Sequence, residues 1–453
     1  MNRIRRHKQD RSYRFYPLHL CKLKVCFWLL TLAFRLVSTC AQAEEFSFDV
    51  AEFEKKPYHL GGYAEVRPVL FGLGRDAALY RLRFYDRDEG QTTPEYNGKL
   101  QIEGSLEKGI GRAFVRINSD YQNSYRGETF RTTFYDGYFS LKPSPSLTLE
   151  AGKKSLRWGT GYAWNPVAFF DRPKDPDDPE LNLEGFILTS VSWIKSFDGP
   201  LRTLSLTPVL LPVYDEINDD FGEPDHLNAG GRLYALLYDT DIDLLFLAGG
   251  SRPNRYGFDF ARNLTSNFEV HGEFAYLRNV RKRVIDAEGV ITEKESDTQS
   301  YLVGIRYLSE AETTWIAEYY HNGAGYSRDV VRDFFKFVNR GYDEFVATGD
   351  ASLLRQAENL GQGAYTGMNP MRDYLYLRAS QKEPFDILYL TPAVTTIFNL
   401  IDRSFSLSPE ILYTAVTNLE LRLKGTVLQG ERGSEYGEKQ NDWRLEIRLR
   451  YYF

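Results

Sequence analysis

The chain has 453 residues, enough for two or three ordinary domains or for one large closed barrel. Its 31 Tyr and 30 Phe suit the interfacial aromatic girdles of a membrane barrel, whereas its net charge of -6 argues against general nucleic-acid binding. A mean hydropathy of -0.43 does not count against a barrel, because only alternate residues of a membrane strand meet lipid.

The N-terminus sets the compartment. Arg3 to Lys24 is basic, Val25 to Val37 is apolar apart from Arg35, and Ala41-Gln42-Ala43 supplies a small-x-small cleavage site. Residues 1–43 therefore read as a secretory signal. Cys21, Cys26 and Cys40 all precede the cut, so the mature chain has no disulfide, thiolate nucleophile or covalent haem attachment. Cys40 as a lipid anchor is the weaker alternative, since Thr39 suits that role poorly. Residues 44–56 are acidic with scattered Phe and form a periplasmic lead-in.

From Tyr58 onward, apolar and polar residues alternate. Strands send successive side chains to opposite faces, so each such run gives one apolar and one polar face. Leu79 to Asp86 reads as a strand, with Arg81 and Arg83 on its polar phase. Leu100, Ile102 and Leu106 alternate with Lys99, Gln101, Glu103 and Ser105; Ala113, Val115 and Ile117 alternate with Arg112, Arg116 and Asn118. Further strands follow to the C-terminus, most near the ~9–11 residues of a tilted membrane strand. Short turns alternate with long loops at 119–129, 157–184, 212–227, 279–297, 323–371 and 429–441, which is the topology of a bacterial barrel. The reading is an all-β transmembrane antiparallel barrel over 57–453, of eighteen strands, with sixteen or nineteen as alternatives. Ile387 to Ile401, the best stretch for a spanning helix, is interrupted by Thr391, Pro392, Thr395, Thr396 and Asn399. The long loop at Arg328 to Leu360 spaces its apolar residues for short helices that cap the barrel mouth, with receptor binding as the alternative.

Three constellations bear on function. In the 157–184 loop, Trp158, Tyr162, Trp164, Phe169 and Phe170 crowd together after Gly159 and Gly161 break the strand. Aromatics this dense seldom lie bare on an outer loop, so the loop is expected to fold into the lumen. There it either constricts the pore, with Arg157, Trp158, Tyr162, Trp164, Asn165, Asp171 and Arg172 at the eyelet, or only braces the wall. Its acidic tail of Asp175, Asp177, Asp178 and Glu180 reads as solvated surface, with Ca²⁺ binding as the alternative. The second constellation is a basic lumen wall: Arg81, Arg83, Arg112, Arg116, Arg422, Lys424, Arg444, Arg448 and Arg450 come together where the last strands close on the first. Such a ladder either selects anions or pairs with opposing acids such as Asp259, Glu269, Glu273 and Glu318. The third is catalytic, and it is thin. His271 and Glu273 share a phase, but there is no Gly-x-Ser-x-Gly and no His-Glu-x-x-His, so no enzyme, metal or cofactor is expected.

The last stretch, Asp442 to Phe453, sets Leu445, Ile447, Leu449, Tyr451 and Phe453 against Arg444, Glu446, Arg448 and Arg450. An alternating strand ending in Phe resembles the C-terminal strand that assembly machinery reads in bacterial outer-membrane barrels, with Tyr451 and Phe453 as the signal. A secreted, Cys-free chain with these strands, a Trp-Gly step into a Gly/Asn/Pro loop and this ending resembles the porin-like outer-membrane proteins. Among them it is most similar to the large alginate-export and specific-porin type. In motif the resemblance covers only residues 152–166 and 442–453. It implies a Gram-negative outer-membrane channel for small polar solutes, anionic ones among them, or for an anionic polymer. A barrel that sheathes a periplasmic partner and an outer-membrane hydrolase are the alternatives. The expected partners are outer-membrane lipid and the barrel-assembly machinery, with a periplasmic export or lipoprotein partner as a further candidate.

Overall fold

In the computed structural model, which describes residues 56–453, the alternation becomes eighteen strands. The signal segment at 1–43 and nearly all of the lead-in at 44–56 lie outside the described residues. The strands are β1 (Tyr58–Leu73), β2 (Thr92–Lys108), β3 (Gly111–Ser124), β4 (Gly127–Ser144), β5 (Leu147–Lys154) and β6 (Phe186–Ser196). Next come β7 (Leu201–Val213), β8 (His226–Leu237), β9 (Thr240–Ala248), β10 (Arg255–Thr265), β11 (Phe268–Ile285) and β12 (Ile291–Leu308). The last are β13 (Thr313–His321), β14 (Asp373–Gln381), β15 (Leu390–Asn399), β16 (Phe405–Tyr413), β17 (Leu419–Gln429) and β18 (Asn441–Tyr452). Each pairs antiparallel with its neighbours in the chain, and β18 pairs with β1, so the sheet closes without an edge.

The faces are inverted relative to a soluble sheet. On the seam strands, Val66, Leu70, Leu445 and Ile447 are exposed outward, while Glu65, Glu446 and Arg448 are buried inward. An apolar exterior and a polar interior are what lipid outside and water inside require. Across the seam, both Nε and Nη2 of Arg450 reach Glu65 Oε2, at 2.9 and 2.7 Å. Phe453 completes the closure: its N–H donates to Gly62 O at 3.1 Å, and its carbonyl accepts from Gly62 N at 3.0 Å.

The early region departs from the sequence expectation. Residues 78–84 form helix α1 (Ala78–Phe84), so Arg81 and Arg83 stand on a loop helix and not on a wall strand. Arg81 donates to Asn339 at 2.9 Å and Arg83 to Gln440 at 3.0 Å, both outside the basic ladder. Leu79, Tyr80, Leu82 and Phe84 fit period 2 and period 3.6 equally over so short a run. This helix is the surplus strand that a nineteen-strand count would contain. Two expected loops are also largely strand: β3 and β4 turn at 125–126, and β11 and β12 turn at 286–290. Their outer ends carry charge on both sides, as in the cross-strand pairs Arg281↔Glu295 and Arg283↔Glu293, so no apolar alternation marks them.

The rim away from the chain ends carries the longer connections. Between β13 and β14 lie α2 (Arg328–Thr348) and α3 (Ser352–Leu360), as the apolar spacing predicts. Val331, Phe334, Phe337 and Leu354 are buried in one cluster with Leu79 and Leu82 of α1 and with Trp164, Tyr374 and Tyr376. The cap and the barrel interior thus share a core. Among the described residues no helix is long and apolar enough to cross a membrane.

Two changes test the wall. Ile447→Arg puts a cation on the lipid face near mid-strand, where it should cost ~2–4 kcal/mol and sharply reduce heat-modifiable folded barrel on gels. Deleting Phe453 should also lower the folded yield by opening the seam. Unchanged yields for both would contradict the lipid-facing assignment.

Candidate functional site

Residues 155–185 connect β5 to β6 and fold into the lumen. Backbone amides buried there lack strand partners and need acceptors. Carboxylates from the wall provide them. Glu273 of β11 accepts from Gly161 N at 2.6 Å and Val167 N at 3.1 Å. Glu318 of β13 accepts from Tyr162 N and, at 2.8 Å, from Ala163 N. Charge-assisted bonds of this kind are about twice as strong as neutral ones. Gly159 adopts φ +98°, and a Cβ there would lie 2.7 Å from Glu273 Oε1, so the Trp-Gly-Thr-Gly step lets the backbone lie flush on this carboxylate.

The aromatics then brace the loop against the wall. Trp158, Phe169 and Phe170 are buried against Leu188, Leu211, Leu245 and Leu247, which face inward from β6, β7 and β9. Gly257 and Gly230 leave slots for the Phe169 and Phe170 rings, since a Cβ at either would meet ring carbon within 2.9 Å. Trp164 stacks on Tyr320 with centroids 5.1 Å apart and donates to Asn369 at 3.1 Å. Asp171 holds the loop's start by accepting from Ser155 Oγ at 2.7 Å and from Leu156 N at 2.8 Å. Burial raises its pKa against those bonds. Asn165 ties Arg172 O to Lys174 N.

Of the seven eyelet candidates, Trp158, Trp164 and Asp171 are therefore buried loop supports. Arg157 is exposed and donates to Asn182 at 2.6 Å; Arg172 pairs with Glu184 and Asp220; Tyr162 reaches Glu180 at 3.3 Å. These three and Asn165 keep some exposure beside the remaining lumen space.

The acidic tail meets the basic ladder. On β17 and β18, Arg422 and Arg448 stand directly opposite, a like-charge pairing that is destabilising on its own. Asp178 sits between them, 2.7 Å from Arg448 and 3.7 Å from Arg422. Arg444 lies 3.3 Å from Asp177, whose carbonyl accepts from Lys424. Burial tends to raise the Asp178 pKa, but Arg448 and Arg422 hold it below the usual 3.8. In the tail, Asp177 and Asp178 thus engage wall cations, whereas Glu180 stays exposed. The rest of the ladder pairs on its own wall: Arg450 with Glu65, Arg116 with Glu103 and Asp136, and Arg112 with Glu107. The expected partners Asp259, Glu269, Glu273 and Glu318 make none of these pairs. One loop therefore crosses the interior, its amides on the acids of β11 and β13 and its acids on the cations of β17 and β18.

A closed, lipid-faced barrel with a loop folded into its lumen settles the architecture. The fold is that of a porin-like outer-membrane barrel. Acinetobacter baumannii OccAB1 matches with a TM-score of 0.50 at 10% identity, over 88% of this chain and 97% of that one. A triple mutant of Rhodopseudomonas blastica porin matches at 0.42 and 11%, over 87% and 100%. Salmonella typhi OmpF, in complex with daunomycin, matches at 0.41 and 10%, over 87% and 97%. No protein-family model and no curated protein matches the sequence.

Two further features of this porin-like barrel bear on chemistry. His271 Nε2 lies 2.8 Å from Glu318 Oε1, but the Glu318 carboxylate is already engaged by loop amides. Among the described residues, no three His, Cys, Asp or Glu side chains are grouped to hold a metal ion. The second feature escaped the sequence reading. Above the loop lies a cavity of about 960 Å³ whose lining includes Lys174, Arg252, Arg255 and Lys282. Its sequence trace is the basic run Arg278 to Arg283, which occupies a strand end of ordinary appearance.

The latch on Asp178 gives a pH test. Its folded pKa is depressed, so its contribution to holding the loop is present above 3.8 and lost as pH falls through the folded value. Asp178→Asn should loosen the loop at neutral pH, raising protease cleavage within 155–185, and acid should do the same to the wild type. Cleavage unchanged in both would show that the pairing does not hold the loop.

Proposed function

We propose that the protein is an outer-membrane channel for small polar solutes, narrowed by residues 155–185 and preferring anions. The observation that carries this reading is the crossing loop, fixed to opposing charges on two parts of the wall. A loop anchored in this way narrows a lumen without sealing it by apolar packing alone. Arg157, Tyr162, Asn165 and Arg172 are the side chains it offers to a passing solute. The anion preference rests on the cationic vestibule above the loop, because most ladder cations are already matched by carboxylates. Loop and aromatic packing inside the barrel weigh against a sheath around a periplasmic polypeptide. Wall carboxylates committed to backbone amides weigh against a hydrolase.

Planar-bilayer recording tests the reading. The purified barrel should give discrete conductance steps, with a reversal potential in a salt gradient that favours anions and fades as salt screens the charges. Replacing residues 160–180 by a short Gly/Ser linker should raise the step size. A folded barrel that never conducts, in both forms, would overturn the channel. The double change Arg112→Gln and Arg116→Gln should move the reversal potential little, because both cations are paired on their own wall.

A further inference from the structure

Cations inside the lumen divide into two groups. On the ladder strands Arg112, Arg116, Arg422, Arg444, Arg448 and Arg450 have carboxylate partners within 4.0 Å, while Lys424 meets the Asp177 carbonyl. In the outer vestibule Arg281 pairs with Glu295 at 3.0 Å, but four other cations do not pair. Lys174, Arg252, Arg255 and Lys282 line one cavity of about 960 Å³, and none of them has an ion-pair partner among the described residues. Arg252 and Arg255 also line an adjoining hollow of about 730 Å³, where Glu223 lies 4.0 Å from Arg281.

Main-chain oxygens hold three of these side chains in place. Arg252 donates to Phe221 O and Phe169 O and lies over the Phe221 ring, 3.8 Å from its centroid. Lys174 donates to Gly161 O, and Lys282 donates to Gly323 O at 3.3 Å and Gly325 O at 3.1 Å. Carbonyls orient a cation but leave its charge uncancelled. Arg255 lacks even that, and its Nε is buried with no acceptor. The one carboxylate in the larger lining, Asp171, is turned to Ser155 and the Leu156 amide. With no carboxylate in ion-pair contact, these partly desolvated cations keep a charge that an anion in the cavity would offset.

We propose that this vestibule is a binding site for a small solute carrying two or more carboxylate or phosphate groups. The anionic groups lie against Arg252, Arg255, Lys174 and Lys282 of the one lining. Trp164 and Tyr320 form the aromatic part of the same lining. The site lies above the crossing loop and apart from the β17–β18 ladder, so a bound anion waits at the constriction on the side of the long loops. The assignment of its role rests on the channel reading; binding itself does not.

The test uses detergent-solubilised full-length mature barrel titrated with citrate, with pyrophosphate and with acetate. Trp fluorescence and calorimetry report binding. Citrate, pyrophosphate or both should bind at least about tenfold tighter than acetate and weaken with added salt, because each further anionic group adds a charge-assisted bond. Whichever binds names the carboxylate or the phosphate class. The double variant Arg252→Gln/Arg255→Gln should lose about tenfold or more on the same arithmetic. Lys282→Gln, alone and at the edge of the cavity, should lose less and serves if the double variant does not fold. Arg202→Gln, at the opposite rim, should leave binding unchanged. Equal weak binding of all three anions, or binding indifferent to both vestibule variants, would overturn the site. Bilayer recordings on the same preparations separate the two readings. Conductance without variant-sensitive binding refutes the site and keeps the channel; binding without conductance does the reverse.

Discussion

Everything inside this barrel depends on how a non-strand segment satisfies its backbone polar groups away from bulk water. A buried amide without a partner costs roughly 1–3 kcal/mol, and residues 155–185 bring many of them into the lumen. Glu273 and Glu318 resolve this by facing inward from β11 and β13 and accepting from Gly161, Val167, Tyr162 and Ala163. A neutral acceptor would leave the loop less firmly held, and an apolar wall would leave it unheld. The aromatic packing of Trp158, Phe169 and Phe170 fixes where the loop lies. The wall carboxylates make that position affordable in hydrogen bonds.

Much of the fold was legible because lipid imposes a period on sequence. Leu445 to Phe453 has no other simple reading once the outward side must be apolar and the inward side wet. The density of aromatics after Trp158 likewise pointed inward, since such a cluster in water would aggregate. What stayed hidden was pairing at long range. Asp178 finds Arg448 across 270 positions, and nothing local distinguishes it from a solvated acid. The α1 segment was too short for its period to discriminate strand from helix. A trace of the inner packing was present at Pro208 to Val213, where apolar residues occupy both phases of β7. Apolar residues on both faces of a barrel strand mean that something covers the inside.

The electrostatics also resist a reading by charge count. A ladder of arginines left open whether its cations stay bare or meet acids; the register sets acids beside most of them, and the loop tail meets others. Lys424 faces Glu446, Glu420 faces Arg450, and Glu103 and Asp136 flank Arg116. Arg252, Lys174 and Lys282 instead donate to main-chain carbonyls. Net charge on a wall matters less than whether each charge has been answered locally.

The seam couples two events that are usually considered separately. Arg444 and Arg448, which hold Asp177 and Asp178, sit on β18. β18 is also the strand that joins β17 to β1 and shuts the sheet. Without β18 in place, the crossing loop would keep its hold on β11 and β13 but lose half of its second anchor. Closing the sheet and fixing the loop tail are thus tasks of the same strand. A change that detaches β18 from β1 should therefore free the tail as well as open the wall.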